Sequence, residues 1–164
     1  MTNRATLYLS IIAIMLALSW NQGAAQGRFG AGVVFGEPTG IAFKYRIDSR
    51  NGVDGALGFV PADRFRLHVD YLWQAHPFET ANLAIHYGVG PAIAFGRTDY
   101  VFLRGNAYAF RNQDAGFAVR IPVGLTYTIP RTPLDAFLEV APLLIFTPGT
   151  GMGLDVGIGA RVYP

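Results

Sequence analysis

Between Arg64 and Gln74 the chain alternates without a break. Phe65, Leu67, Val69, Tyr71 and Trp73 take the odd positions, and Arg64, Arg66, His68, Asp70, Leu72 and Gln74 take the even ones. A helix would scatter these residues around its circumference, whereas a strand sorts them onto two faces. Other stretches keep the same rhythm. Ile41, Phe43, Tyr45 and Ile47 alternate with Ala42, Lys44 and Arg46. Leu83, Ile85, Tyr87 and Val89 alternate with Ala84, His86, Gly88 and Gly90. Phe117, Val119, Ile121, Val123, Leu125 and Tyr127 alternate with Ala118, Arg120, Gly124 and Thr126, and Leu154, Val156 and Ile158 with Asp155, Gly157 and Gly159.

Turn residues separate these runs: Glu37-Pro38-Thr39-Gly40, Asp48–Gly52, Pro61-Ala62-Asp63, Ala75–Thr80, Pro130–Pro133 and Thr147–Gly151. The pattern predicts an all-β fold with strands near 28–35, 40–47, 53–60, 64–74, 82–95, 116–129, 134–146 and 152–163. Every link is short except Gly96–Ala115. Pro91, Pro122 and Pro142 fall inside predicted strands, where each removes a ladder donor. They are expected to mark bulges at similar heights on three neighbouring strands.

The start of the chain reads differently. Met1–Arg4 is short and basic, Ala5–Leu18 is apolar, and small residues follow at Gly23, Ala24 and Ala25. This is the layout of a secretory signal peptide, with cleavage expected before Gln26. The apolar run is short for a membrane-spanning helix of about 20 residues. Residues 26–164 are then the exported domain, and a β-barrel is the form in which they would stay in a membrane.

Composition narrows the function classes. The chain is 51% hydrophobic and 15% charged, which excludes disorder, and it has no Cys, which excludes a disulfide scaffold and thiol-ligated metals. The net charge is +2, Lys44 is the one lysine, and there is no run of like charges, so no nucleic-acid partner is expected.

Two closed β architectures fit the alternation. One is a secreted soluble barrel with apolar residues inside, binding a small apolar ligand. The other is an outer-membrane barrel with apolar residues on lipid and polar ones in the lumen. Side-chain volume favours the second. An eight-stranded barrel is just wide enough to be filled by side chains, and the apolar face carries too many Phe, Tyr, Trp, Leu and Ile for that space. The other face mixes Gly and Ala with a few long charged residues, which suits a narrow lumen. Phe29, Phe35, Trp73, Phe95, Phe117, Tyr127 and Tyr163 stand near strand ends, where interfacial aromatic girdles form. The expected fold is an eight-stranded antiparallel up-and-down transmembrane β-barrel.

The chain resembles the small eight-stranded outer-membrane barrels of the OmpA-transmembrane-domain and OmpX class, and an uncharacterised family of short bacterial barrels. The residues that carry the resemblance are Arg120-Ile121-Pro122-Val123-Gly124-Leu125, Leu138-Glu139-Val140-Ala141-Pro142 and Gly157-Ile158-Gly159-Ala160-Arg161-Val162-Tyr163. The resemblance implies a monomer in the cell outer membrane, in contact with its lipid and inserted by the barrel-assembly machinery. Such chains commonly end on an aromatic residue; here Tyr163 is followed by Pro164.

No enzyme is expected. A serine-dependent lipid deacylase or acyltransferase lacks its nucleophile, because the one serine after the leader, Ser49, stands in a turn. His68, Asp70 and His86 share the lumen face but match no metal-ligand spacing, and no motif asks for a cofactor. Wide aqueous pores need about 16–18 strands, so little or no conductance is expected.

Two sets of residues remain. The first is a lumen charge network of Lys44, Arg46, Asp54, Arg66, His68, Asp70, His86, Arg120, Glu139, Asp155 and Arg161. Turn symmetry predicts that Arg46 faces Asp54, Asp70 faces His86, and Glu139, at the centre of the last cluster, meets Arg161 with Arg120 on its other side. The second set is the long outward link, where Tyr100, Phe102, Arg104, Tyr108, Phe110 and Arg111 have the aromatic and arginine character of recognition surfaces. The extracellular ligand, if one is bound, is not legible.

Overall fold

The alternating runs become strands. In a computed structural model, which describes residues 27–60, 64–95, 115–147 and 149–164, they are β1 (Phe29–Gly36), β2 (Thr39–Arg46), β3 (Asn51–Val60), β4 (Arg64–Ala75), β5 (Leu83–Phe95), β6 (Gly116–Arg120), β7 (Val123–Thr128), β8 (Leu134–Thr147) and β9 (Gly151–Val162). The expected leader and the recognition residues Tyr100, Phe102, Arg104, Tyr108, Phe110 and Arg111 lie outside the described residues.

The strands form one antiparallel sheet in a ring: β1 to β5 pair in sequence, β6 and β7 each pair with β5 and β8, β8 pairs with β9, and β1 closes on β9. There are nine elements where eight were expected, because β6 and β7 share one place between β5 and β8. Pro122 is the cause. It brings no N–H to the ladder, and the strand breaks at Ile121 and Pro122. Register runs through the break without insertion: Arg120 opposes Gly90 and Leu143, and Val123 opposes Tyr87 and Val140. The expected bulges at the prolines are therefore not formed. Pro91 opposes Val119, Pro142 opposes Leu154, and the register shift in this region falls at Phe117/Ala118.

Closure imposes a constraint that the strands satisfy. A ladder followed from Gly32 runs through Ala42, Ala56, His68, Ala92, Ala118 and Ile145 to Gly151. Gly32's own partner on β9 is Arg161, ten residues from Gly151. The ring thus closes with a stagger, which tilts the strands. Because the offset is even, side chains that face inward stay inward all the way round.

The two faces are sorted the opposite way from a water-soluble core. Phe35, Phe59, Tyr87, Val123, Leu138 and Ile158 are exposed outside, whereas Lys44, Asp70, His86, Arg120, Asp135 and Arg161 are buried inside. Small apolar clusters accompany the charges within the ring: Val34, Ala42, Ala56 and Phe137, and Ala92, Ala118, Leu143 and Ile145. Phe29, Phe35, Trp73, Phe95, Phe117 and Tyr127 are exposed, but Tyr163 points inward and is buried, so it is no part of an outer girdle. Its position follows Asp155 and Arg161 in parity, which puts it on the interior face.

The turns are held by local hydrogen bonds. The Thr39 hydroxyl accepts from the Gly36 N–H and donates to the Gly36 carbonyl, each at 3.0 Å. Gly36 has a φ of 130°, a conformation that favours glycine. Between β2 and β3, Oδ1 of Asp48 accepts the N–H groups of Arg50 (2.7 Å) and Asn51 (2.8 Å), and Asn51 Nδ2 donates to Oδ2 at 2.8 Å. These bonds, those from the Asn51 side chain foremost, hold the Asp48 carboxyl below its ordinary value. A carboxyl depressed by folding stabilises the folded turn above its unfolded value near 3.9, and the effect is lost as pH falls through the lower folded value. Carboxyl-carbon NMR of the folded protein is expected to show Asp48 titrating below an unstructured peptide of the same sequence; coincident titrations would contradict the turn.

Candidate functional site

Strand parity puts the ionisable residues of seven strands into one narrow interior. Lys44, Asp54, Arg66, His68, Asp70, His86, Arg120, Glu139, Asp155 and Arg161 are all buried there. Arg46 lies at one end of the same face with its side chain 23% exposed. Three residues that the sequence reading did not assign to the lumen network join them: Asp135, Thr126 and Tyr163. Asp135 shares its parity with Glu139 and counts as a fifth interior aspartate or glutamate beside Asp54, Asp70, Glu139 and Asp155. It balances Lys44, Arg46, Arg66, Arg120 and Arg161.

The charges divide into two groups along the ring. In the first, Arg120 reaches three carboxylates from three strands. It pairs with Asp70 of β4, donates through Nη2 to Glu139 Oε1 of β8 at 2.7 Å, and brings Nε to 3.2 Å from Asp155 Oδ2 of β9. Asp155 also pairs with Arg66. His86 places Nε2 3.3 Å from Glu139 Oε2 and Nδ1 3.0 Å from the Thr126 hydroxyl. Gly124 makes this approach possible, since a Cβ there would stand 2.6 Å from the imidazole Nε2.

The second group gathers on Asp135. Arg161 Nε donates to Asp135 Oδ1 at 3.0 Å, and Nη1 of the same guanidinium donates to Asp54 Oδ2 at 3.3 Å. The Tyr163 hydroxyl donates to Asp135 Oδ2 at 2.7 Å, and Arg46 Nη2 lies 3.8 Å from that oxygen. Both guanidiniums also lie over rings: Arg46 3.7 Å from the centroid of Tyr163, and Arg161 4.2 Å from that of Phe137. Such stacking keeps a cation stable where little water reaches it.

The pairings differ from those expected of turn symmetry. Lys44, not Arg46, lies opposite Asp54, because Asn51 closes a tight turn and puts Gly52 opposite Arg46. His86 lies opposite Gln74, so it meets Glu139 and Thr126 instead of Asp70. Arg161 lies opposite Asp135, and Glu139 opposite Gly157. The centre of the larger group is therefore Arg120, not Glu139.

Between the two groups the interior leaves a cavity of about 20 Å³, lined by Asp54, His68, Arg120, Glu139 and Arg161 among others. That is room for about one water molecule. The trio of His68, Asp70 and His86 is brought together only in part: His68 Nε2 lies 3.9 Å from Asp70, which pairs with Arg120, while His86 turns to Glu139.

Residues 21–161 match a family model described as a protein of unknown function (DUF3996). The chain belongs to that family. The DUF3996 match takes in all the strands to within one residue of the end of β9, and so both charge groups except Tyr163. No curated protein and no solved structure matches the chain.

Proposed function

We propose that this chain is a monomeric integral β-barrel of the bacterial outer membrane, akin in build to the OmpA transmembrane domain and OmpX. It is exported by a cleaved leader and inserted by the barrel-assembly machinery. Its interior is a charge-paired plug, and its role is structural or, through the long link 96–115, surface recognition. It is neither an enzyme nor a wide pore.

The observation that carries this reading is the inverted burial. Aromatic and aliphatic side chains cover the outside of the ring, and ionic ones fill the inside. In water that outer surface would be one large apolar patch, of a kind monomeric soluble proteins rarely expose. In lipid it is the stable arrangement, because a closed sheet also pairs its backbone groups. No helix among the described residues is long and apolar enough to cross a membrane. A cavity of about 20 Å³ among charges has no room for the apolar ligand of a soluble barrel.

Expression followed by fractionation and reconstitution tests the reading. The protein is expected in the outer-membrane fraction, to shift on a gel only after boiling, and to leave a planar bilayer almost silent when inserted. Recovery in osmotic-shock fluid without detergent, or a large stable conductance, would overturn it.

A further inference from the structure

Five buried side-chain atoms have no hydrogen-bond partner among the described residues: Asp54 Oδ1, His68 Nδ1, Asp70 Oδ1, Arg120 Nε and Asp155 Oδ2. Native interiors leave few such atoms, and each asks for an explanation. Three of the five belong to residues that line the cavity of about 20 Å³ between the two charge groups, namely Asp54, His68 and Arg120. These residues come from β3, β4 and β6, and each is more than nine-tenths buried.

Their chemistry is complementary to one molecule. Asp54 Oδ1 is an acceptor. His68 turns Nε2 toward the Asp70 carboxylate, 3.9 Å away. A carboxylate only accepts, so the proton of a neutral imidazole belongs on Nε2, and Nδ1 is left as a second acceptor. Arg120 Nε is a donor, and its approach to 3.2 Å from Asp155 Oδ2 lacks hydrogen-bond geometry. Two acceptors and one donor around so small a space match water, which gives two hydrogens and receives on its oxygen. A water needs about 10–15 Å³ of such space and makes about three hydrogen bonds when buried. A cation has no lone pair for the Arg120 N–H, and it would meet the guanidinium charges of Arg120 and Arg161 in the same lining. An anion would meet Asp54 and Glu139.

We propose that this cavity is a binding site for a single water molecule that joins the two charge groups. The water accepts from Arg120 Nε and donates to Asp54 Oδ1 and His68 Nδ1. Arg120 belongs to the first group, and Asp54, through Arg161, to the second. The interior is then one network with a hydrated centre instead of two separate clusters. This rests on the reading of the interior as a charge-paired plug and deepens it; it does not depend on the membrane.

Two measurements on the folded protein in detergent micelles test the site. Oxygen-17 relaxation dispersion counts long-lived waters, and nitrogen-15 NMR of labelled histidine reports which ring nitrogen carries the proton. At neutral pH the wild type is expected to show His68 protonated on Nε2 alone, and cross-relaxation from water to the His68 Cε1 hydrogen. Ala56 lines the cavity and is the register partner of His68. Ala56→Val fills the space and is expected to lose one long-lived water together with that cross-relaxation. Ala118→Val, at a residue that is also buried but lies in the other apolar cluster and outside the lining, is expected to keep both. A wild type without the cross-relaxation, His68 protonated on Nδ1, retention of the water by Ala56→Val, or its loss from Ala118→Val would overturn the site. The wild-type signals decide the matter if Ala56→Val does not fold. Failure of the plug reading is separately visible, as a large stable conductance in a planar bilayer.

Discussion

Replacing Arg120 with methionine is expected to cost about 3–5 kcal/mol of stability, the scale for stranding a buried charge by removing its partner. Arg120 is 2% exposed and, among the described residues, is the one that meets Asp70, Glu139 and Asp155 together. Without the guanidinium these three carboxylates share a space with room for about one water. Asp155 keeps Arg66 and Glu139 keeps His86, but Asp70 is left with the distant His68, whose Nε2 is 3.9 Å away. Methionine preserves much of the volume, so the loss reports charge rather than a cavity. Urea unfolding in lipid vesicles measures it. A companion variant with Arg120→Met and Asp70→Asn together is expected to recover much of the loss, because the one carboxylate left without a cation is then neutral while Asp155 keeps Arg66 and Glu139 keeps His86. A single variant as stable as the wild type, or a companion no better than the single, would contradict the hub.

The faces of the strands were legible in the sequence, and the partners were not. Period-2 alternation fixes which way a side chain points, so Lys44, Asp54, Asp70 and Arg120 could be assigned to one face before any pairing was known. Register depends on turn geometry. The Asp48–Asn51 turn is tighter than a symmetric placement supposes, and this moves Asp54 from Arg46 to Lys44. The other two pairings slip in the same way, by an even number of residues, which preserves the face and changes the neighbour. The hub had a second source of concealment. Arg120 on β6 reaches Asp70 on β4 and Asp155 on β9, neither of which is a hydrogen-bonded neighbour of its own strand. Such contacts cross the interior of a staggered ring, and hairpin logic does not reach them.

The prolines show a different limit. Sequence alone identifies a missing donor at Pro91, Pro122 and Pro142, but not how the chain absorbs it. Pro122 is absorbed by a gap between β6 and β7, while β5 and β8 run through Pro91 and Pro142. The carbonyls of Pro122 and Pro142 still accept, from Gly88 and Ile121, so the ring keeps its register across the gap.

Asp135→Ala is expected to be the second most damaging change, and it tests the end of the ring that the sequence reading left open. Asp135 is fully buried, and it accepts from Arg161 and Tyr163 while Arg46 stands close by. Removing its carboxylate leaves Arg161 with Asp54 alone at 3.3 Å and leaves the Tyr163 hydroxyl with no acceptor among the described residues. The buried cation sets the scale, again about 3–5 kcal/mol. Two comparisons separate charge from packing. Asp135→Asn keeps an acceptor oxygen and is expected to lose less than alanine. Adding Arg161→Met to Asp135→Ala removes the stranded cation, so the pair is expected to lose less than the two single effects together. Strict additivity in urea unfolding would show that Asp135 and Arg161 act independently. The chain would then be held at this end by the ladder β8–β9 alone, where Asp135 and Arg161 are register partners.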